Sequence, residues 1–110
     1  MKRILLLLVL LLPAPALALE ANGTIVFLTD FGTSDDAVAI CKGVMLTTFP
    51  GARIVDLTHQ VTPYDIREGA IYLGETAGFY PKGTVFLGVV DPGVGTERKS
   101  VAIETADGYA

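Results

Sequence analysis

Three short apolar runs, separated by two stretches with helical spacing, constrain this chain more than any other feature of its sequence. Residues 24–28 form a β-branched, apolar run that ends in Thr29-Asp30, after which the period changes. Ala37, Ile40, Cys41, Val44 and Met45 fall at i, i+3, i+4, i+7 and i+8, one face of a helix. Thr33 with Asp36 three residues later forms a capping-box-like start for that helix, and Pro50-Gly51 stops it. Residues 53–57 are a second strand. Thr62-Pro63-Tyr64-Asp65 repeats the helix-start chemistry, with proline at the first helical position and a carboxylate three residues after the cap. Ile66, Ala70, Leu73 and Ala77 line the buried face of this second helix, and residues 84–90 form a third, almost continuously apolar strand.

Strand, helix, strand, helix, strand is the order of an α/β fold: a Rossmann-like layered sheet of parallel strands with crossover helices, covered on both faces. Residues 100–105 read as a further strand, residues 106–108 as a hairpin turn, and Tyr109-Ala110 as a returning strand just begun. The expectation is a fragment or truncated product.

The segment before this pattern reads as an address. Lys2 and Arg3 precede nine unbroken apolar residues, 4–12, too few to cross about 30 Å of hydrocarbon as a helix. Pro13 and Pro15 break the run, and Ala16-Leu17-Ala18 supplies a small-x-small cleavage pattern. Residues 1–18 are therefore expected to be a signal peptide cleaved after Ala18, which makes the protein exported, periplasmic or extracellular, with no membrane association afterwards. An uncleaved N-terminal anchor is the alternative. The domain is then residues 19–110, a 92-residue chain able to bury about 60–65% of its unfolded surface in one core. Two of the eight basic residues leave with the signal while all 12 acidic ones stay, giving a formal charge of −6. That balance argues against a nucleic-acid partner, which needs a basic footprint. The single cysteine, Cys41, excludes an internal disulfide and, on a helical apolar face, reads as a buried core thiol.

In an open α/β sheet, ligands bind outside the carboxyl ends of the strands. Those ends carry Asp30 after the first strand, Asp56 with His59 after the second, and Asp91 after the third, so three carboxylates are expected at one edge. Each has a plainer reading. Asp30 can accept turn hydrogen bonds before Gly32; Asp35 and Asp36 can stabilise a helix N-terminus; His59, the only histidine, can be a hydrogen-bonded structural group. Tyr64 can be surface packing or a flat wall for a ring. The stretch "VVDPGVGTERK", residues 89–99, resembles a phosphate loop only loosely, because it lacks the third glycine and a strand, not a helix, is expected after it. Asp91 and Arg98, folded together by the intervening turn, can instead hold a water between acceptor and donor.

"FLTDFGTSDDAVAICKGVM", "IVDLTHQVTPYDIREGA" and "YPKGTVFLGVVDPGVGTERKSVAI" resemble, in order and spacing, the N-terminal domain of the S-adenosylmethionine hydroxide adenosyltransferases. These hydrolases are related to the adenosyl-fluoride and adenosyl-chloride synthases. The resemblance implies displacement at the ribose 5′ carbon of S-adenosyl-L-methionine by water or hydroxide, giving adenosine and L-methionine with no metal and no separate cofactor. It implies that Asp91 and Arg98 belong to an Asp-Arg-His group that activates water, the histidine lying in later sequence and not being His59. Asp30 matches the aspartate that holds the ribose hydroxyls, Asp35 a carboxylate near the methionine end, and Tyr64 the aromatic wall of the ribose. The fluorinase has a tyrosine where this chain has Asp91, although residues 33–39 lean toward the fluorinase pattern. The resemblance also implies a second, small β-barrel domain and a homotrimer with each active site between two subunits. The alternatives are a halide adenosyltransferase and a non-catalytic nucleoside-binding fragment.

Overall fold

The computed structural model describes residues 20–110, and the signal assigned to residues 1–18 lies outside them. Five elements follow one another in the expected order: β1 (Thr24–Thr29), α1 (Ala37–Thr48), β2 (Arg53–Thr58), α2 (Ile66–Ala77) and β3 (Val85–Val89). The strands form one parallel sheet ordered β2-β1-β3, so the first strand is central and both helices are crossover connections. No described helix is long and apolar enough to cross a membrane.

Central placement decides where the core sits. β1 has a hydrogen-bonded neighbour on each edge, and Val26, Phe27, Leu28 and Thr29 are fully buried, at most 1% exposed. Val55 of β2 and Leu87 of β3 are exposed, so the coverage on both faces expected of every strand holds, among the described residues, for β1 alone. Side chains alternate across a sheet. Leu28 looks toward α2, where Gly69 is the helix's buried residue. A Cβ on Gly69 would lie 3.2 Å from Val90 Cγ2 and 3.5 Å from Leu28 Cδ2, so glycine lets this helix come down onto the sheet. Phe27 looks the other way, on the side of its cross-strand partner Asp56, whose carboxylate receives Lys42 of α1 at 2.6 Å.

Both helix starts differ from expectation. α1 is capped at Asp36, not Thr33, with Asp35 Oδ1 accepting the Ala37 N–H at 3.0 Å. The Gly32 N–H is donated to the His59 carbonyl at 2.7 Å, which keeps the chain in a loop and delays the helix. α1 also buries no residue completely: Ala37, Val38, Cys41, Lys42 and Met45 are half-buried, while Ile40 and Val44 are 58% and 63% exposed. The expected face is thus rotated toward the Lys42–Asp56 ion pair, and Cys41 is only half-buried. α2 starts three residues later than its expected cap, at Asp65 rather than Thr62. Asp65 Oδ1 accepts the Glu68 N–H at 2.9 Å, and Glu68 Oε2 accepts the Thr62 N–H at 2.6 Å. Tyr64 has φ 68°, a left-handed conformation that no first helical turn accommodates.

The strand expected at residues 100–105 is absent. A strand needs a ladder partner, and at the start of β3 Ala110 takes that place, donating to the Thr84 carbonyl and accepting from the Phe86 N–H. The turn at residues 106–108 does form, closed by Gly108 N–H to the Thr105 carbonyl at 3.0 Å.

Candidate active site

The register of the sheet brings two of the three expected carboxylates together. Thr29 at the end of β1 is aligned with Val89 at the end of β3, so Asp30 and Asp91 leave the sheet from adjacent, parallel strands. Asp56 does not join them. It lies inside β2, paired with Phe27, two residues before the strand ends. Its carboxylate meets Lys42 at 2.6 Å and His59 Nε2 at 3.1 Å. Burial alone would raise the Asp56 pKa, but the bond from Lys42 and the contact with His59 outweigh it and hold the carboxyl below its ordinary value of 3.8. The expectation of three carboxylates at one edge is corrected to two, because Asp56 is spent on the α1 side of the sheet.

The loop after β3 folds Asp91 and Arg98 onto each other. Asp91 Oδ1 accepts the Gly93 N–H at 2.7 Å, an Asx turn, and lies 3.2 Å from Arg98 Nη1. The Gly93 carbonyl accepts the Thr96 N–H at 3.0 Å and the Thr96 hydroxyl at 2.6 Å. A Cβ on Gly93 would collide with Arg98 Cδ, so glycine is what lets the arginine lie across the turn. No helix follows the glycines, and neither does the expected strand. The arginine and aspartate side chains are 54% and 35% exposed, a wet pair worth at most about 1 kcal/mol of stability. Its significance is therefore geometric.

Tyr64 faces these groups from the loop before α2. The Asp65 N–H donated to the Thr62 carbonyl at 2.9 Å closes the turn. Two carboxylates hold it: Asp30 Oδ2 accepts the Tyr64 N–H at 2.8 Å, and Glu68 accepts the Thr62 N–H. That Thr62 bond, helped by the Tyr72 hydroxyl at 2.9 Å, lowers the Glu68 pKa, and the Glu68 carboxylate in turn raises that of Tyr72. The left-handed backbone at Tyr64 costs of order 1 kcal/mol and persists because both ends of the turn are tied. Glu68 was not singled out from the sequence. Its signal was the Asp-x-x-Glu spacing from Asp65, overlooked in favour of Thr62-x-x-Asp65.

Asp30, Phe31, Pro63, Tyr64, Asp91, Pro92 and Val94 line one cavity of about 480 Å³, within the range of small-molecule sites. Flat apolar walls and two carboxylates suit a ring that carries hydroxyl groups and a positive charge nearby. Arg98 lines an adjoining space of about 360 Å³ that shares Asp91. Asp35 lines neither; it stays at the start of α1 with the Ala37 N–H. His59 is also outside the cavity, buried behind it at 5% exposure. Among the described residues, no group of three or more His, Cys, Asp or Glu side chains is placed to hold a metal ion.

Comparison with known proteins converges on one family. The model of the SAM hydroxide adenosyltransferase N-terminal domain matches residues 25–110. A fluorinase of Actinoplanes sp. (strain N902-109) is 48% identical over 87 residues, covering 77% of this chain and 29% of the relative. An (R)-S-adenosyl-L-methionine hydrolase of Thermus thermophilus is 49% identical over 76 residues, covering 69% and 30%. A crystal structure of an uncharacterised conserved protein from Thermotoga maritima superposes with a TM-score of 0.75 at 40% identity, over 77% of this chain and 32% of that one. The chain thus spans under a third of the length of these relatives.

Proposed function

Because this chain belongs to the SAM hydroxide adenosyltransferase family, we propose that its cavity receives the adenosyl group of S-adenosyl-L-methionine and serves its hydrolysis to adenosine and L-methionine. Asp30 accepts hydrogen bonds from the ribose diol, and Tyr64 walls the sugar. Asp91 and Arg98 hold a water between acceptor and donor, in line with the 5′ carbon. The new O–C5′ bond forms as the C5′–S bond breaks, its electron pair returning to sulfur to give the neutral thioether of methionine, and the water's proton passes to the Asp91 side. A sulfonium is already a good leaving group, so positioning and electrostatics around the nucleophile suffice without metal or cofactor.

The observation that carries this reading is the Asp91 carboxylate at the cavity wall, 3.2 Å from Arg98. Identities of 48% to a fluorinase and 49% to a hydrolase do not separate the two chemistries. The Asp91 carboxylate supports the hydrolase reading. A halide beside it would meet a negative charge that Arg98 only partly offsets, whereas a water can donate to the carboxylate and accept from the arginine. Asp35 at the methionine end, a homotrimer completing each cavity from a neighbouring subunit, and export through residues 1–18 belong to the same proposal.

The test is to incubate protein expressed from the intact gene with S-adenosyl-L-methionine and follow adenosine by chromatography, with and without chloride. Chloride-independent adenosine is expected. A chlorinated nucleoside would replace hydrolysis with halide transfer, and adenosine binding without turnover would reduce the protein to a nucleoside-binding module.

A further inference from the structure

His59 is the only histidine of the chain and, among the described residues, one of few buried polar side chains, yet it lines neither cavity. Its contacts converge instead on the residues that flank Asp30. On the near side, Thr29 Oγ1 lies 3.0 Å from His59 Nδ1. On the far side, Phe31 donates its N–H to the same Thr29 hydroxyl at 3.2 Å, and Gly32 donates its N–H to the His59 carbonyl at 2.7 Å. The ring is wedged edge-on against Phe27, with centroids 5.1 Å apart.

We infer that His59 is a positioning residue for the ribose-binding carboxylate, fixing the Asp30 loop from behind through the Thr29 hydroxyl; this rests on the reading of Asp30 as the ribose acceptor. The hydrogen-bond roles follow from the contacts. Thr29 Oγ1, with one proton and two lone pairs, can accept from Phe31 and still either donate to or accept from His59 Nδ1, and the Asp56 carboxylate 3.1 Å from Nε2 favours the tautomer with the proton on Nε2 and Nδ1 as the acceptor. The ring proton then sits on Nε2, which points toward Asp56 Oδ1 at 3.1 Å, off the line of a good hydrogen bond. The groups around the ring are thus Thr29 and Phe27 from β1, Asp56 from β2 and, beyond Asp56, Lys42 from α1. Asp30 itself is left with Oδ2 engaged by the Tyr64 N–H. A carboxylate whose loop is tied on both sides and whose Oδ2 is engaged by the Tyr64 N–H is pre-ordered for a cis-diol and loses little freedom on binding.

The experiment compares Thr29→Val, isosteric but without the hydroxyl, with Thr29→Ser, which keeps it. Dissociation constants for adenosine and 2′-deoxyadenosine are measured by calorimetry on protein from the intact gene, and the His59 ring is followed by ¹⁵N spectroscopy, its signals assigned by their loss in His59→Gln. The parent and Thr29→Ser should prefer adenosine and show an Nε2–H ring. Thr29→Val should lose about tenfold of that preference, the order of one well-made hydrogen bond, and shift the Nδ1 resonance. Unchanged preference in Thr29→Val, whatever its melting temperature, would overturn the inference and leave His59 a core residue. A parent that does not distinguish the two nucleosides would instead sink the ribose role of Asp30, and the inference with it. If Thr29→Val does not fold, His59→Asn, which keeps a polar atom near Nδ1, should retain the preference and His59→Gln should lose it; equal behaviour would overturn the proposal.

Discussion

Asp56 and Asp91 are the same chemical device in two places. Each belongs to an edge strand or its exit, and each carboxylate meets one cation, Lys42 at 2.6 Å and Arg98 at 3.2 Å. Asp56 sits two residues inside β2, so the pleat and the parallel register commit it to the face shared with Phe27 and α1. Asp91 sits two residues beyond the end of β3, where an Asx turn rather than a ladder sets its direction, and it lines the cavity. The difference teaches that an ion pair's role follows from its distance to the strand end, not from its strength. The tighter pair is the one that lies away from the cavity.

The sharpest way to break this comparison is to neutralise each carboxylate in turn. Asp91→Ala should lower kcat for adenosine formation by at least about 100-fold, the usual scale for losing a positioned acid–base group, with little change in melting temperature. Asp56→Asn should leave kcat within about twofold, since its side chain is remote from the cavity. Steady-state kinetics and thermal melts of both variants check the pair, and equal losses of activity would erase the distinction.

A subtler break moves the cation and leaves both charges in place. In Gly93→Ala the new methyl group must displace Arg98 Cδ, which changes the arginine's approach to Asp91 without touching the cavity's apolar walls. Turnover should fall about tenfold, since misplacing a catalytic group by about an ångström can cost up to 100-fold. The affinity for adenosine should stay near that of the parent. Loss of adenosine binding alongside turnover would show that the loop shapes the ribose site instead of the nucleophile site.

The split between Asp56 and Asp91 also marks what the sequence could reveal. The alternation of β-branched runs and helical spacing was enough to order the five elements, because each period reports one kind of burial. Asp30 and Asp91 could be read as neighbours because parallel strands with adjacent exits leave little choice of direction. Asp56 was misplaced because a carboxylate inside the 53–57 strand was grouped with that strand's exit, whereas its register beside Phe27 commits it to Lys42 on the α1 side. The start of α2 was misread because Thr62-Pro63 and Asp65-x-x-Glu68 are both sound caps. Only the left-handed turn at Tyr64, stabilised by Asp30 from 34 residues away, decides between them. The rotated face of α1 was hidden for a similar reason, since the helix turns Lys42 toward Asp56 on β2 and leaves Ile40 and Val44 exposed. Local patterns specify local structure; these three misses were all set by long-range partners.

The smallest effect expected is also the one that separates the two aspartates by stability alone. The Asp56 carboxyl is held below 3.8 in the folded chain. A depressed folded pKa means that the group stabilises the fold above its unfolded value and that this contribution disappears as the pH falls through the folded value. With the Asp56 side chain 45% exposed, solvent screens the pair, and its worth is about 0.5 kcal/mol. Asp56→Asn should therefore be about that much less stable than the parent in urea unfolding at neutral pH. The gap should close in acid, at pH values below 3.8, where the parent's own carboxyl is protonated and Lys42 faces a neutral group in both proteins. High salt at neutral pH should shrink the gap as well, because partly exposed charges are screened. A gap that survived both acid and salt would mean that Asp56 acts through its shape and its contact with His59 rather than its charge, and the two aspartates would then differ in kind, not only in place.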